Sequence, residues 1–135
     1  MLWALMSLFA CHRAPTAVVA GDGCASPWTP TLAGHFTLSR YPGQDAVGPN
    51  GERPMPMSKD YAFDQGHYQM NGYPPLTITG RYAVTAADGP KLKVRFTETI
   101  FDGHPNPDTE AWLTFADCGT AFEMDGMTYA RVAAP

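Results

Sequence analysis

The sequence predicts an all-β fold, a small antiparallel barrel of eight up-and-down strands, and three observations carry that prediction. The first is strict two-residue alternation in Lys91-Leu92-Lys93-Val94-Arg95-Phe96-Thr97, the pattern of a strand with one wet face and one buried face. The second is a series of further short β-rich runs separated by turns containing Gly, Pro and Asp. The third is the abundance of backbone punctuators: 13 Gly and 13 Pro in 135 residues are more than a helical chain tolerates. A two-sheet β-sandwich is the alternative packing of the same strands.

Taken in order, Gly34-His35-Phe36-Thr37-Leu38-Ser39-Arg40-Tyr41 reads as the first strand, rich in aromatic and β-branched residues and closed by Pro42-Gly43. Residues 41–59 hold four Pro and three Gly and form a long loop outside any sheet interior. Asp60-Tyr61-Ala62-Phe63 and His67-Tyr68-Gln69-Met70 flank Asp64-Gln65-Gly66, a tight hairpin that places Tyr61, Phe63, Tyr68 and Met70 inward. Residues 76–85 alternate again, with Leu76, Ile78, Tyr82 and Val84 on one face. Gly80 shares that inward face and marks a point where the strand can coil over a crowded interior. Asp88-Gly89 turns the chain into residues 91–101, and residues 102–109 make a second long loop. Residues 111–115, 120–124 and 127–132 supply the last three strands. Eight antiparallel strands suffice to close a barrel whose interior holds side chains or one small ligand.

One domain is expected at this length. A formal net charge of -4 with interspersed signs offers no basic stripe, so no nucleic-acid partner is expected. Residues 1–10 form an uncharged apolar run too short to span a bilayer, and read as the core of an export signal; a buried N-terminal segment is the alternative. Leu8-Phe9-Ala10-Cys11 resembles the lipobox of bacterial lipoproteins, which implies that Cys11 is acylated and anchors the mature chain in the cell envelope. Residues 11–32, rich in Ala, Pro, Gly and Thr, then read as a tether, and residues 33–135 as the folded body. Setting Cys11 aside leaves Cys24 and Cys118, an even pair that an oxidising envelope can join; two free thiols are the other possibility.

Leu32-Ala33-Gly34-His35-Phe36, Tyr61-Ala62-Phe63, Gly80-Arg81-Tyr82 and Tyr129-Ala130-Arg131-Val132 stand in the order and spacing of small secreted bacterial domains of the lipocalin-like, calycin type, and the chain resembles these from about Leu32 to Val132. In lipocalins a Gly-x-Trp on the first strand packs under an Arg from near the barrel's end. By that resemblance Phe36 takes the Trp position and Arg131 the Arg position.

No acid, base and nucleophile can be assembled from the sequence, so the chain is expected not to be an enzyme and to need no cofactor. The absence of a Cys/His cluster argues against zinc. Met55-Pro56-Met57 carries soft ligands without diagnostic spacing, while Met70, Met124 and Met127 read as core. Residues 102–108 place oxygen groups at alternate positions but lack the sharp-turn Gly of a calcium loop. Glu98 is the most suggestive single residue, because alternation from Leu92 through Phe96 points it inward. Three readings follow: a buried ion pair with Arg40 or Arg131, recognition of a ligand head group, or a bulge that turns Glu98 outward. The leading functional expectation is a barrel that binds a small apolar or amphipathic molecule among Phe36, Tyr61, Phe63, Tyr68, Tyr82, Phe96, Glu98 and Arg131, with a pocket bordered by Tyr82, Phe96 and Glu98. The competing expectation is a structural or protein-interaction lipoprotein whose barrel is packed solid.

Overall fold

The computed structural model describes Pro15, Val18, Val19 and residues 23–133. The signal-like residues 1–10 and Cys11 lie outside the described residues. The chain forms β1 (Gly34–Arg40), β2 (Ser58–Asp64), β3 (His67–Tyr73), β4 (Leu76–Asp88), β5 (Lys91–Phe101), β6 (His104–Pro105), β7 (Thr109–Ala116), β8 (Ala121–Met124) and β9 (Met127–Val132). A single 3-10 turn, Asp117–Gly119, is the remaining regular element among the described residues. Each long strand pairs antiparallel with its sequence neighbour, β4 pairs with β5, and β9 returns to β1. The result is a closed eight-stranded barrel rather than a sandwich, with β6 as a two-residue extension of the β5 edge. Closure leaves none of the eight barrel strands with an unpaired edge.

Alternation explains the core. Leu92, Val94 and Phe96 are buried along β5, Leu113 and Phe115 along β7, and Phe63 faces them from β2. The interior is mainly aromatic. Phe36 meets Phe122 edge-on at 4.8 Å, Phe63 meets Tyr82 at 5.1 Å, and Phe122 stacks on Tyr129 at 5.1 Å. Offset and edge-to-face contacts of this kind add to the stabilisation from area burial alone.

One end is sealed. The Arg131 guanidinium lies over the Phe36 ring, 4.5 Å from its centroid, and donates hydrogen bonds to the carbonyls of Ala33 (2.8 Å) and Thr31 (2.6 Å). Gly34, at φ +132°, leaves the space for this, since a Cβ there would come within 2.5 Å of the guanidinium. The barrel's packing also extends N-terminal to residue 33. Leu32 is buried in the core, Trp28 lies against Gly119, and Cys24 is bonded to Cys118. Segment 24–32, expected as tether, is thus strapped across the sealed end.

The alternation of β5 breaks beyond Phe96. Arg81 pairs with Thr97 but Thr79 pairs with Ile100, so β5 carries one extra residue at this point, and Glu98 adopts φ +51°. Gly80 faces the bulge: a Cβ on it would sit 2.8 Å from the Thr97 carbonyl oxygen and 2.8 Å from the Tyr68 ring. The crowding expected at Gly80 is present. The missing side chain lets the bulge and the Tyr68 ring close over the strand.

Candidate functional site

The antiparallel topology gathers the 41–57 loop, the β3–β4 turn, the 102–108 connection and the Asp125-Gly126 turn at the end opposite the Arg131 seal. A cavity of about 590 Å³ opens there. Its walls come from inward-facing positions: Tyr61 of β2, Tyr68 of β3, Ile78 of β4, Phe96 of β5, Ala111 of β7 and Met124 of β8. Its rim is formed by Thr99, Asn106, Pro107, Thr109, Glu110 and Asp125. Large rings fill the sealed half, whereas Ala111 and Thr99 are small side chains that leave the open half unfilled.

The polar groups on the walls are mostly hydroxyls. Tyr68 and Thr99 share a hydrogen bond of 2.9 Å. Burial raises the Tyr68 phenol, and the Thr99 contact offsets part of that rise. Burial, reinforced by the adjoining Tyr129 and Tyr68 and by Asp125, pushes the Tyr61 phenol far above its ordinary value. Burial likewise lifts Tyr129 to about 12, with the Asp125 charge adding to it. These phenols therefore stay neutral at physiological pH and present hydroxyls rather than anions.

The expected site residues divide among four places. Tyr61, Tyr68 and Phe96 line the cavity. Phe36, Phe63 and Tyr82 belong to the packed interior beneath it. Arg131 holds the sealed end rather than a ligand wall. Glu98 lies on the outer surface, its side chain 70% exposed and 3.6 Å from Arg81.

Two expectations are thereby corrected. Of the three readings of Glu98 the bulge is the one present: it reverses the parity of β5, turns Glu98 outward rather than toward Arg40, Arg131 or a ligand, and hands the inward position to Thr99. Arg40 is exposed and pairs with Asp45 at 3.8 Å. The pocket bordered by Tyr82, Phe96 and Glu98 is likewise replaced by one that shares only Phe96 with it. Glu98 instead edges an open groove on the barrel's outer wall with Asp64, His67, Gln69 and Arg81. An ion pair this exposed contributes little, so Glu98→Gln is expected to change unfolding stability by less than about 0.5 kcal/mol. A urea midpoint shift equivalent to a loss above roughly 2 kcal/mol would show that the carboxylate is buried.

Of the wall residues not singled out from sequence, Ile78 and Met124 carry the same inward parity as Tyr61 and were recognisable as interior. The rim residues Thr99 and Asp125 had no such signal, since one depends on the bulge and the other sits in a turn at φ +53°. The two long loops also differ in role. Segment 102–108 supplies Asn106 and Pro107 to the rim, while residues 41–46 border a separate shallow cleft with Glu123, Gly126 and Thr128. The carboxylates of segment 102–108 serve structure: Asp102 accepts from the Thr77 amide at 3.0 Å, and Asp108 pairs with Arg95 at 3.0 Å.

A scan against protein-family models and searches of curated proteins and of solved structures returned no match to this chain.

Proposed function

We propose that this protein is a non-enzymatic carrier of the lipocalin-like type, exported and held in the cell envelope, that binds a small apolar or amphipathic molecule in the open end of its barrel. The observation that carries this reading is the aromatic-walled cavity of about 590 Å³, a volume within the range of small-molecule sites. Apolar walls remove a ligand's hydrocarbon surface from water, and the rim hydroxyls and amide leave its polar end hydrated or hydrogen-bonded. The sealed end makes the cavity a cup with one entrance. The disulfide supports an oxidising, exported setting. The lipid anchor at Cys11 rests on the lipobox resemblance.

The test is titration with N-phenyl-1-naphthylamine, an uncharged dye that brightens in apolar surroundings. The native chain is expected to bind it, and Ala111→Trp, which fills the open half, to weaken binding at least about tenfold with the β-sheet circular dichroism retained. Absence of dye binding by the native chain would overturn carriage and leave the structural or protein-interaction reading of the barrel.

A further inference from the structure

We infer that the molecule carried in this cavity has an anionic head, a carboxylate on an aliphatic or aromatic body, and that the Lys59 ammonium is the group that holds it. The inference rests on the carrier reading and goes beyond it by fixing the ligand's charge and the residue that meets it. Lys59 lies near the start of β2 at the unsealed end and shares the inward parity of Tyr61 and Phe63. Its Nζ lies 3.4 Å from the Sδ of Met127 on β9. Strands β2 and β9 both pair with β1 and not with each other, so this contact spans the inner face of the barrel. One layer deeper the next inward residues of the same strands, Tyr61 and Tyr129, meet at 5.2 Å. The ammonium thus stands at the cavity's edge, since Tyr61 is a cavity wall and Met127 pairs across the β8–β9 turn with Met124, another wall.

The half-buried ammonium has no matched anion in this place. It carries three N–H donors, whereas a thioether sulfur is a weak acceptor, and this one also receives the Tyr129 hydroxyl at 3.5 Å. No carboxylate among the described residues forms an ion pair with Lys59. The carboxylates at this end are committed elsewhere or solvated. Glu110 is matched by Lys93 at 3.2 Å and Arg95 at 3.4 Å, and Asp45 by Arg40 at 3.8 Å. Asp102 accepts from the Thr77 amide at 3.0 Å and Glu123 from the Gly126 amide at 3.2 Å. Asp125 on the rim is exposed in its turn, where water and salt screen its charge. A ligand carboxylate at the mouth gains a charge-assisted hydrogen bond from Lys59 while its hydrocarbon enters the aromatic-walled space below. An ammonium head gains only the solvated Asp125 and meets Lys59 as a like charge.

Three eight-carbon amphiphiles of nearly equal size separate the possibilities when each competes with N-phenyl-1-naphthylamine at pH 7: octanoate, 1-octanol and octylammonium. Octanoate is expected to displace the dye at lower concentration than octylammonium. Lys59→Met keeps an unbranched apolar stem and removes the charge; it is expected to weaken octanoate about five- to tenfold and to leave octanol within about twofold. Lys59→Arg keeps a cation and is expected to hold octanoate within about threefold of the native chain. Octanoate binding that Lys59→Met does not weaken, an equal loss of octanol and octanoate in that variant, or octylammonium competing better than octanoate would overturn the inference while leaving carriage intact. Failure of both dye and octanol to bind the native chain would overturn carriage, and the inference with it.

Discussion

Replacing Phe122 with alanine is expected to lower the stability of the barrel by about 3–5 kcal/mol, which is the usual cost of truncating a fully buried phenylalanine. Phe122 has no exposed surface and stands where three rings converge: Phe36 at 4.8 Å, Phe115 at 5.5 Å and Tyr129 at 5.1 Å. Strands β7, β8, β9 and β1 all contribute to that junction, so no single strand can move to refill the space. Part of the cost is lost burial and part is the void left among rings that cannot collapse onto one another. Urea unfolding followed by circular dichroism measures it. A loss below about 1 kcal/mol would mean that the sealed half is not packed as described.

Removing the disulfide should rank next. The double variant Cys24→Ser with Cys118→Ser is expected to lose about 2–5 kcal/mol, because the cross-link joins residues 94 apart in sequence and so restricts most of the unfolded chain. The bond also holds the segment bearing Trp28 against Gly119, where the turn runs through three successive positive φ values at Asp117, Cys118 and Gly119. Thermal unfolding with and without reductant reads the effect. The native protein should lose stability under reduction and the double variant should not respond. Equal unfolding temperatures for native and variant chains would exclude a stabilising role.

Much of this architecture was legible in the sequence because a closed antiparallel barrel imposes a period of two on every strand. Leu92, Val94 and Phe96 could be placed inward, and the strand at Ala121–Met124 located, from alternation and turn residues alone. Periodicity alone could not choose among the three readings of Glu98, because a bulge adds a residue that no local pattern records; Gly80 leaves the room for it across strands β4 and β5. The strap at residues 24–32 was legible only through the Cys24–Cys118 pair, whose bond fastens this segment to the barrel. Trp28 and Leu32 have no alternation around them to mark them as packed, and Trp28 lies against a turn nearly a hundred residues away.

The candidate site was legible only in part. Parity identified Tyr61, Tyr68 and Phe96 as interior residues, but parity does not say how far the interior is filled. That depends on which layer receives large rings and which receives Ala111 and Thr99, a three-dimensional property of the stacked strands. Arg131 illustrates the opposite case. Its pairing with Phe36 followed from resemblance and is present in the fold, yet its hydrogen bonds go to the carbonyls of Thr31 and Ala33, so its work is closure of the barrel.

The central claim is that a small molecule occupies the open end and not the outer groove. Nuclear magnetic resonance of the labelled protein titrated with N-phenyl-1-naphthylamine tests it most directly. Carriage predicts saturable shifts at Ile78, Phe96, Ala111 and Met124, with Phe122 in the sealed half and Arg81 and Glu98 on the outer wall unmoved. Shifts confined to Arg81, Glu98 and His67, or no shifts at dye saturation, would contradict it.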